Sequence, residues 1–221
     1  MMYRIKSFPR AVFRTGVLVG MISFLATLPV FAQNNNWRIS GNAGIDWFGS
    51  DLNSGLVLGY TPMGFGQVQL DYLMKNFAFT RNFIWVKGAG FFLCAEFGRM
   101  YAQDASGFRH AQNTFGTLCP GVQYRFLQNG PLNPFVFVKA GVLYASNIKY
   151  VGWSPAGYRI PSSVTCGVVA PGFGVEYVMK NIVFNARVQV MIVSSDQLDG
   201  LTSGLRKDGV TCLSFGAGIP F

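Results

Sequence analysis

Six charged residues of this chain, Asp71, Lys87, Arg125, Lys139, Glu176 and Arg187, stand at positions where opposite charges could meet on one face of neighbouring strands. Asp71, Arg125, Glu176 and Arg187 fall there by unbroken alternation with apolar residues, Lys87 and Lys139 in less regular surroundings. Glu176 and Arg187 flank Lys180-Asn181 and lie close to a diagonal pair across that turn. Such a set can do two things. Buried in a narrow interior, it forms an ion-pair plug that fixes packing; lining a low-conductance pore, it forms a gate.

Other reactive side chains are sparse. The cysteines Cys94, Cys119, Cys166 and Cys212 have no CxxC spacing, so no metal site is expected. A cross-strand disulfide between Cys94 and Cys119 is open to an exported chain, since the two are symmetric about a loop centred near Ser106. The alternative is that all four are small residues filling an interior. His110 is the single histidine, and with Ser106 nearby it raises a lipid-hydrolysing site, but no nucleophile motif accompanies it. Asp196, Asp199 and Asp208 could hold calcium, although Asp199-Gly200 is more simply a turn. No catalytic residue and no cofactor are expected.

The elements that must position these residues differ from those of a soluble domain. Charged residues make up 12% of the 221, against a usual share of about 25%. Half of the residues are hydrophobic, 27 are glycine and 21 phenylalanine. Disorder, coiled coil and a charged solvating tail are excluded, and a large core or a lipid-facing surface remains.

The first 32 residues form a separate segment: basic Arg4, Lys6, Arg10 and Arg14, then the uncharged run Thr15 to Leu28, Pro29, and Val30-Phe31-Ala32. This is expected to be a signal peptide cleaved after Ala32, because the run is shorter than the about 20 residues of a spanning helix. Its loss takes four of 18 basic residues, leaving 14 against 9 acidic, or +5 rather than +9. Export and this modest charge argue against a nucleic-acid partner.

From residue 33 onward the period is two. Leu213, Phe215, Ala217, Ile219 and Phe221 alternate with Cys212, Ser214, Gly216, Gly218 and Pro220, and the same pattern runs through Val68 to Met74, Leu118 to Phe126, Pro171 to Met179 and Ile182 to Ile192. Asp71 to Phe79 recurs as Glu176 to Phe184, with Gly130-Pro131-Leu132-Asn133-Pro134 as a further turn between them. Short turns alternate with four longer polar segments, Gly49 to Gly64, Ala102 to Asn113, Asn147 to Ser163 and Ser194 to Asp208. Eight strands are therefore expected, at about 37–48, 65–74, 77–101, 114–126, 134–147, 164–179, 181–193 and 209–221. The start of the third is open between Lys75-Asn76 and Arg81-Asn82, with a bulge near Lys87 to Gly90.

A meander with one apolar face can close as a soluble, lipocalin-like barrel or as a transmembrane one. Its polar face is mostly glycine, serine and glutamine with about one charge per strand, too sparse for a solvated exterior but suited to a narrow lumen. Alternating short turns and long loops, with Trp37, Trp47, Tyr72, Tyr124, Phe126 and Tyr177 near strand ends, fit the membrane alternative. The expected class is all-β, an eight-stranded antiparallel up-and-down transmembrane β-barrel over residues 33–221.

On the export segment, the Lys75-Asn76-Phe77 and Gly130 to Pro134 turns and the terminal Ser214 to Phe221, the chain resembles the small outer-membrane β-barrels, similar to the OmpA-like and OmpX-like membrane domains. The resemblance implies residence in the outer membrane, contact with its lipid, and a terminal phenylalanine, Phe221, read by the barrel-assembly machinery. Pro220 departs from the usual terminal strand but is tolerable at the rim, and the peptidoglycan-binding domain of full-length OmpA-like proteins is not expected. A structural, adhesive or weakly pore-forming role follows, with an unidentified extracellular ligand for the four loops. The alternatives are a lipid-modifying enzyme on the same barrel and an exported binder of an apolar ligand.

Overall fold

The computed structural model describes residues 37–49, 62–73, 88–103, 110–127, 130–151, 161–195, 197–198 and 209–221. Among them are eight strands: β1 (Trp37–Gly49), β2 (Met63–Leu73), β3 (Ala89–Gln103), β4 (His110–Arg125), β5 (Leu132–Val151), β6 (Ser163–Met179), β7 (Ile182–Val193) and β8 (Gly209–Pro220). Each pairs antiparallel with the next, and β8 returns to β1, closing the barrel. Strand lengths run from 11 to 20 residues, enough for tilted strands to cross a bilayer, which needs about 9–11. No helix among the described residues is long and apolar enough to cross a membrane.

Period-2 alternation decides which face goes where. Outward positions hold Phe97, Phe173 and Phe215, each about three-fifths exposed, while inward neighbours such as Glu96, Glu176 and Ser214 are buried. Glycines inside the barrel make room for rings: a Cβ on Gly98 would sit 2.7 Å from Phe65 Cβ and 2.9 Å from Phe115 Cε1.

The third strand is described from Ala89, and residues 77–87 of the expected 77–101 lie outside the described residues. The register partner of Leu73 is Gly90, so residues 74–89 connect the paired ends of β2 and β3. A strand starting at Phe77 would instead bring Phe77 opposite Met74. The residues of both expected turns, Lys75-Asn76 and Arg81-Asn82, and Lys87 itself lie outside the described residues, as do the export segment 1–32, Ser106, Asp196, Asp199 and Asp208.

Two other irregularities shape the barrel. Lys180, in the two-residue β6–β7 turn, has a left-handed φ of 54°. In β5 the register shifts between the partners of Gln112 and Thr114, and Asn147 there has φ 55°. That bulge reverses the side-chain parity of β5, turning Ile148 inward and Lys149 outward.

Candidate functional site

The lumen has two unlike halves. Toward the chain termini and the short turns most of the charges stand beside a small cluster of Phe92, Phe135 and Phe137, and toward the longer connections the lumen is apolar. Eight charged side chains are buried in it among the described residues, four cations (Arg38, Arg125, Lys139, Arg187) against four anions (Asp46, Asp71, Glu96, Glu176).

Glu176 is the centre of the turn-side network. Its Oε2 accepts from Arg125 Nε at 2.7 Å and its Oε1 from Arg125 Nη2 at 3.1 Å, a two-pronged contact. Arg38 Nη2 lies 2.8 Å from the same Oε1 but without hydrogen-bond alignment, so that attraction is Coulombic. Arg38 Nε donates to Asp71 Oδ2 at 2.9 Å, and Asp71 Oδ1 accepts from Gln69 at 2.5 Å and from Gln123 at 2.9 Å.

Higher in the lumen, Lys139 Nζ lies 2.6 Å from Glu96 Oε1, which also accepts from Gln189 at 2.8 Å, while Glu96 Oε2 accepts from Thr117 at 3.0 Å. Asp46 is fully buried, and neither of its carboxylate oxygens meets a hydrogen-bond partner among the described residues.

Five of the six expected charges, Asp71, Arg125, Lys139, Glu176 and Arg187, thus face the lumen. The diagonal Glu176–Arg187 contact does not form. Opposite Arg187 on β6 stands Gly174 and opposite Glu176 on β7 stands Asn185. The barrel is narrow enough for long side chains to meet across it, so Glu176 takes Arg38 and Arg125, while Arg187 donates to Gln69 and stacks 5.4 Å over the Phe135 ring. Arg38, Asp46 and Glu96 were not singled out from sequence. The alternation Arg38, Ser40, Asn42, Gly44, Asp46 was available, but the small Gly41 and Ala43 on the opposite face dilute it.

Above the charges, the expected small and polar lumen gives way to large apolar side chains. Phe48, Phe65, Met100, Phe115, Leu143, Met191 and Val210, drawn from seven strands, are all buried. Inward positions near the longer connections change from Gln189 to Met191 on β7 and from Ser214 to Val210 on β8, and burial of these groups removes water from that half.

All four cysteines are buried in the lumen as thiols, none of them joined in a disulfide. Cys94 and Cys119 are direct register partners on β3 and β4, and Cys94 Sγ accepts from Gln67 at 2.9 Å. His110 does not enter the lumen network: its ring stacks on Tyr101, with centroids 5.9 Å apart, on the outward face. At the turn end, Trp37 packs on Tyr72 and Tyr124 on Phe126, with centroids 4.8 and 5.3 Å apart, where amphipathic rings meet the lipid–water boundary.

Neither a protein-family model nor a curated protein matches the sequence. Solved structures do. Neisserial surface protein A superposes with a TM-score of 0.58 at 13% identity, over 84% of this chain and 97% of that one. Ail, the attachment invasion locus protein of Yersinia pestis, solved with the heparin analogue sucrose octasulfate, gives 0.49 at 17% identity over 84% and 97%. The outer membrane enzyme PagL gives 0.41 at 15% identity over 83% and 99%. An apolar exterior on a closed barrel can face only lipid, and the backbone of such a barrel is satisfied without an open edge. The chain has the fold of the small eight-stranded outer-membrane β-barrels, with the apolar exterior that such a barrel turns toward lipid.

Proposed function

We propose that the protein is a closed, non-enzymatic and non-conducting scaffold that presents its longer connections, around residues 50–62, 104–109, 152–162 and 194–208, to a partner at the cell surface. The observation that carries this reading is the apolar packing of Phe48, Phe65, Met100, Phe115, Leu143, Met191 and Val210 across the loop-side lumen, directly above an ion-pair network. A hydrated ion passing inward would lose its water against these groups before reaching the charges. Rearrangement of the Arg38–Glu176–Arg125 contacts alone therefore opens no path, which disfavours a gate built from charges only. Residues 1–32 serve as a cleaved export segment, and Phe221 engages the barrel-assembly machinery.

The test is ion efflux from vesicles carrying the folded protein: efflux at the rate of empty vesicles is expected, and sustained efflux would overturn the reading. For the enzymatic alternative, stacking of His110 on Tyr101 leaves the imidazole on the lipid-facing side. Incubation with phospholipid or lipid A should release no product, and product release lost in His110→Ala would reinstate the enzyme.

A further inference from the structure

Charges on the outside of this barrel are placed with economy. Among the described residues, Arg99 and Lys149 are the only charged side chains on strands that face outward. Both are cations, and both stand toward the longer connections. They flank one strand: Arg99 on β3 is the register partner of Thr114 on β4, and Lys149 on β5 that of Gln112 on β4. Thr114 and Gln112 are exposed between them, and Tyr101, opposite Gln112, stacks with His110 beside the pair.

Lys149 owes its position to the β5 bulge. Up to Tyr144 the outward positions of β5 are even-numbered; the left-handed Asn147 adds a residue, so that Ile148 enters the lumen and Lys149 leaves it. Bulges are a common device for re-aiming a side chain. Without it, strict alternation would point Lys149 into the apolar half of the lumen.

We infer that this outward face of β3, β4 and β5 binds the phosphate groups of a phosphorylated glycolipid in the outer leaflet. A cation on a lipid-facing strand is costly at the bilayer centre and cheap near the interface. No carboxylate neutralises Arg99 or Lys149 among the described residues. The nearest abundant anions at that height are lipid headgroups. Arg99 offers a planar fork that grips phosphate oxygens two at a time, Lys149 a mobile point charge, and Thr114 and Gln112 neutral donors between them. The Tyr101 and His110 rings suit the boundary where acyl chain meets headgroup. The inference is independent of whether the lumen conducts.

The experiment uses the parent, the double variant Arg99→Gln/Lys149→Gln, and Lys180→Gln at the opposite end, each folded in detergent and checked by heat-modifiable gel mobility. Native mass spectrometry then titrates lipid A with both phosphates, dephosphorylated lipid A, and phosphatidylglycerol. Diphosphorylated lipid A is expected to bind the parent and Lys180→Gln alike and the double variant about 30-fold more weakly, the factor for two cations acting at an anionic lipid surface. With dephosphorylated lipid A the difference should vanish. Equal affinity of parent and double variant for the diphosphorylated lipid would overturn the inference, as would a preference for phosphatidylglycerol over lipid A.

Discussion

Replacing Glu176 by glutamine keeps the side chain's volume and removes its charge. The carboxylate holds Arg125 by contacts of 2.7 and 3.1 Å and Arg38 at 2.8 Å, and the groups are almost fully shielded from solvent. In the turn-side half, Arg38, Arg125 and Arg187 face Asp71 and Glu176, three charges against two, and the substitution makes it three against one. A pair of unit charges about 4 Å apart at an effective dielectric constant near 20 is worth about 4 kcal/mol. Stranding a buried partner costs about 3–5 kcal/mol, where an exposed pair would give at most about 1.

Urea unfolding from phospholipid vesicles, followed by heat-modifiable mobility, measures the difference. With a slope of about 2 kcal/mol per molar urea, the midpoint of Glu176→Gln should fall by about 2 M. Should that variant fail to fold, Glu176→Gln/Arg125→Met, which removes one cation with the anion, should regain folding and most of the stability. A midpoint within about 0.3 M of the parent for Glu176→Gln would refute the reasoning, because the network would then be solvated and the lumen wet.

Three further outcomes are expected. Lys139→Met leaves Glu96 with only Gln189 and Thr117 as partners and should destabilise by about 3 kcal/mol, whereas Lys139→Met/Glu96→Gln, which removes both charges, should be milder; a double-variant cycle in urea checks this. Cys94 and Cys119 are register partners but carry no disulfide, so alkylation of denatured protein without reductant followed by mass spectrometry should modify four thiols, and two modified thiols would show that the exported pair has joined. Phe221→Ala should lower the amount of folded barrel in membrane fractions without changing the urea midpoint of protein refolded in vitro; an unchanged membrane yield would remove the residue from assembly.

Alternation was legible wherever large apolar and small or polar residues take turns without interruption, as from Leu118 to Arg125 or Ile182 to Gln189, and there both strand and facing follow from period two. It failed where one face carries no contrast. In β1 the outward Gly41 and Ala43 conceal inward Arg38 and Asp46, and at the start of β3 glycine and lysine break the pattern within residues 87–90. Charge partners were not legible at all. Sequence proximity pointed Glu176 to Arg187, but in a narrow barrel partners are chosen across the lumen, and Arg38 is 138 positions away from the carboxylate it meets. The apolar loop-side plug was hidden for a related reason. Met100, Phe115 and Leu143 lie on different strands, and only closure brings them to one level.

A scaffold of this kind needs a lumen closed by packing, and single-channel recording in planar bilayers tests that most directly. The parent should show no stepwise current, and Phe115→Ala/Leu143→Ala/Met191→Ala, folded by the gel criterion, should show small discrete steps as water enters the emptied half. Stepwise conduction by the parent at the level of the truncated variant would contradict the account.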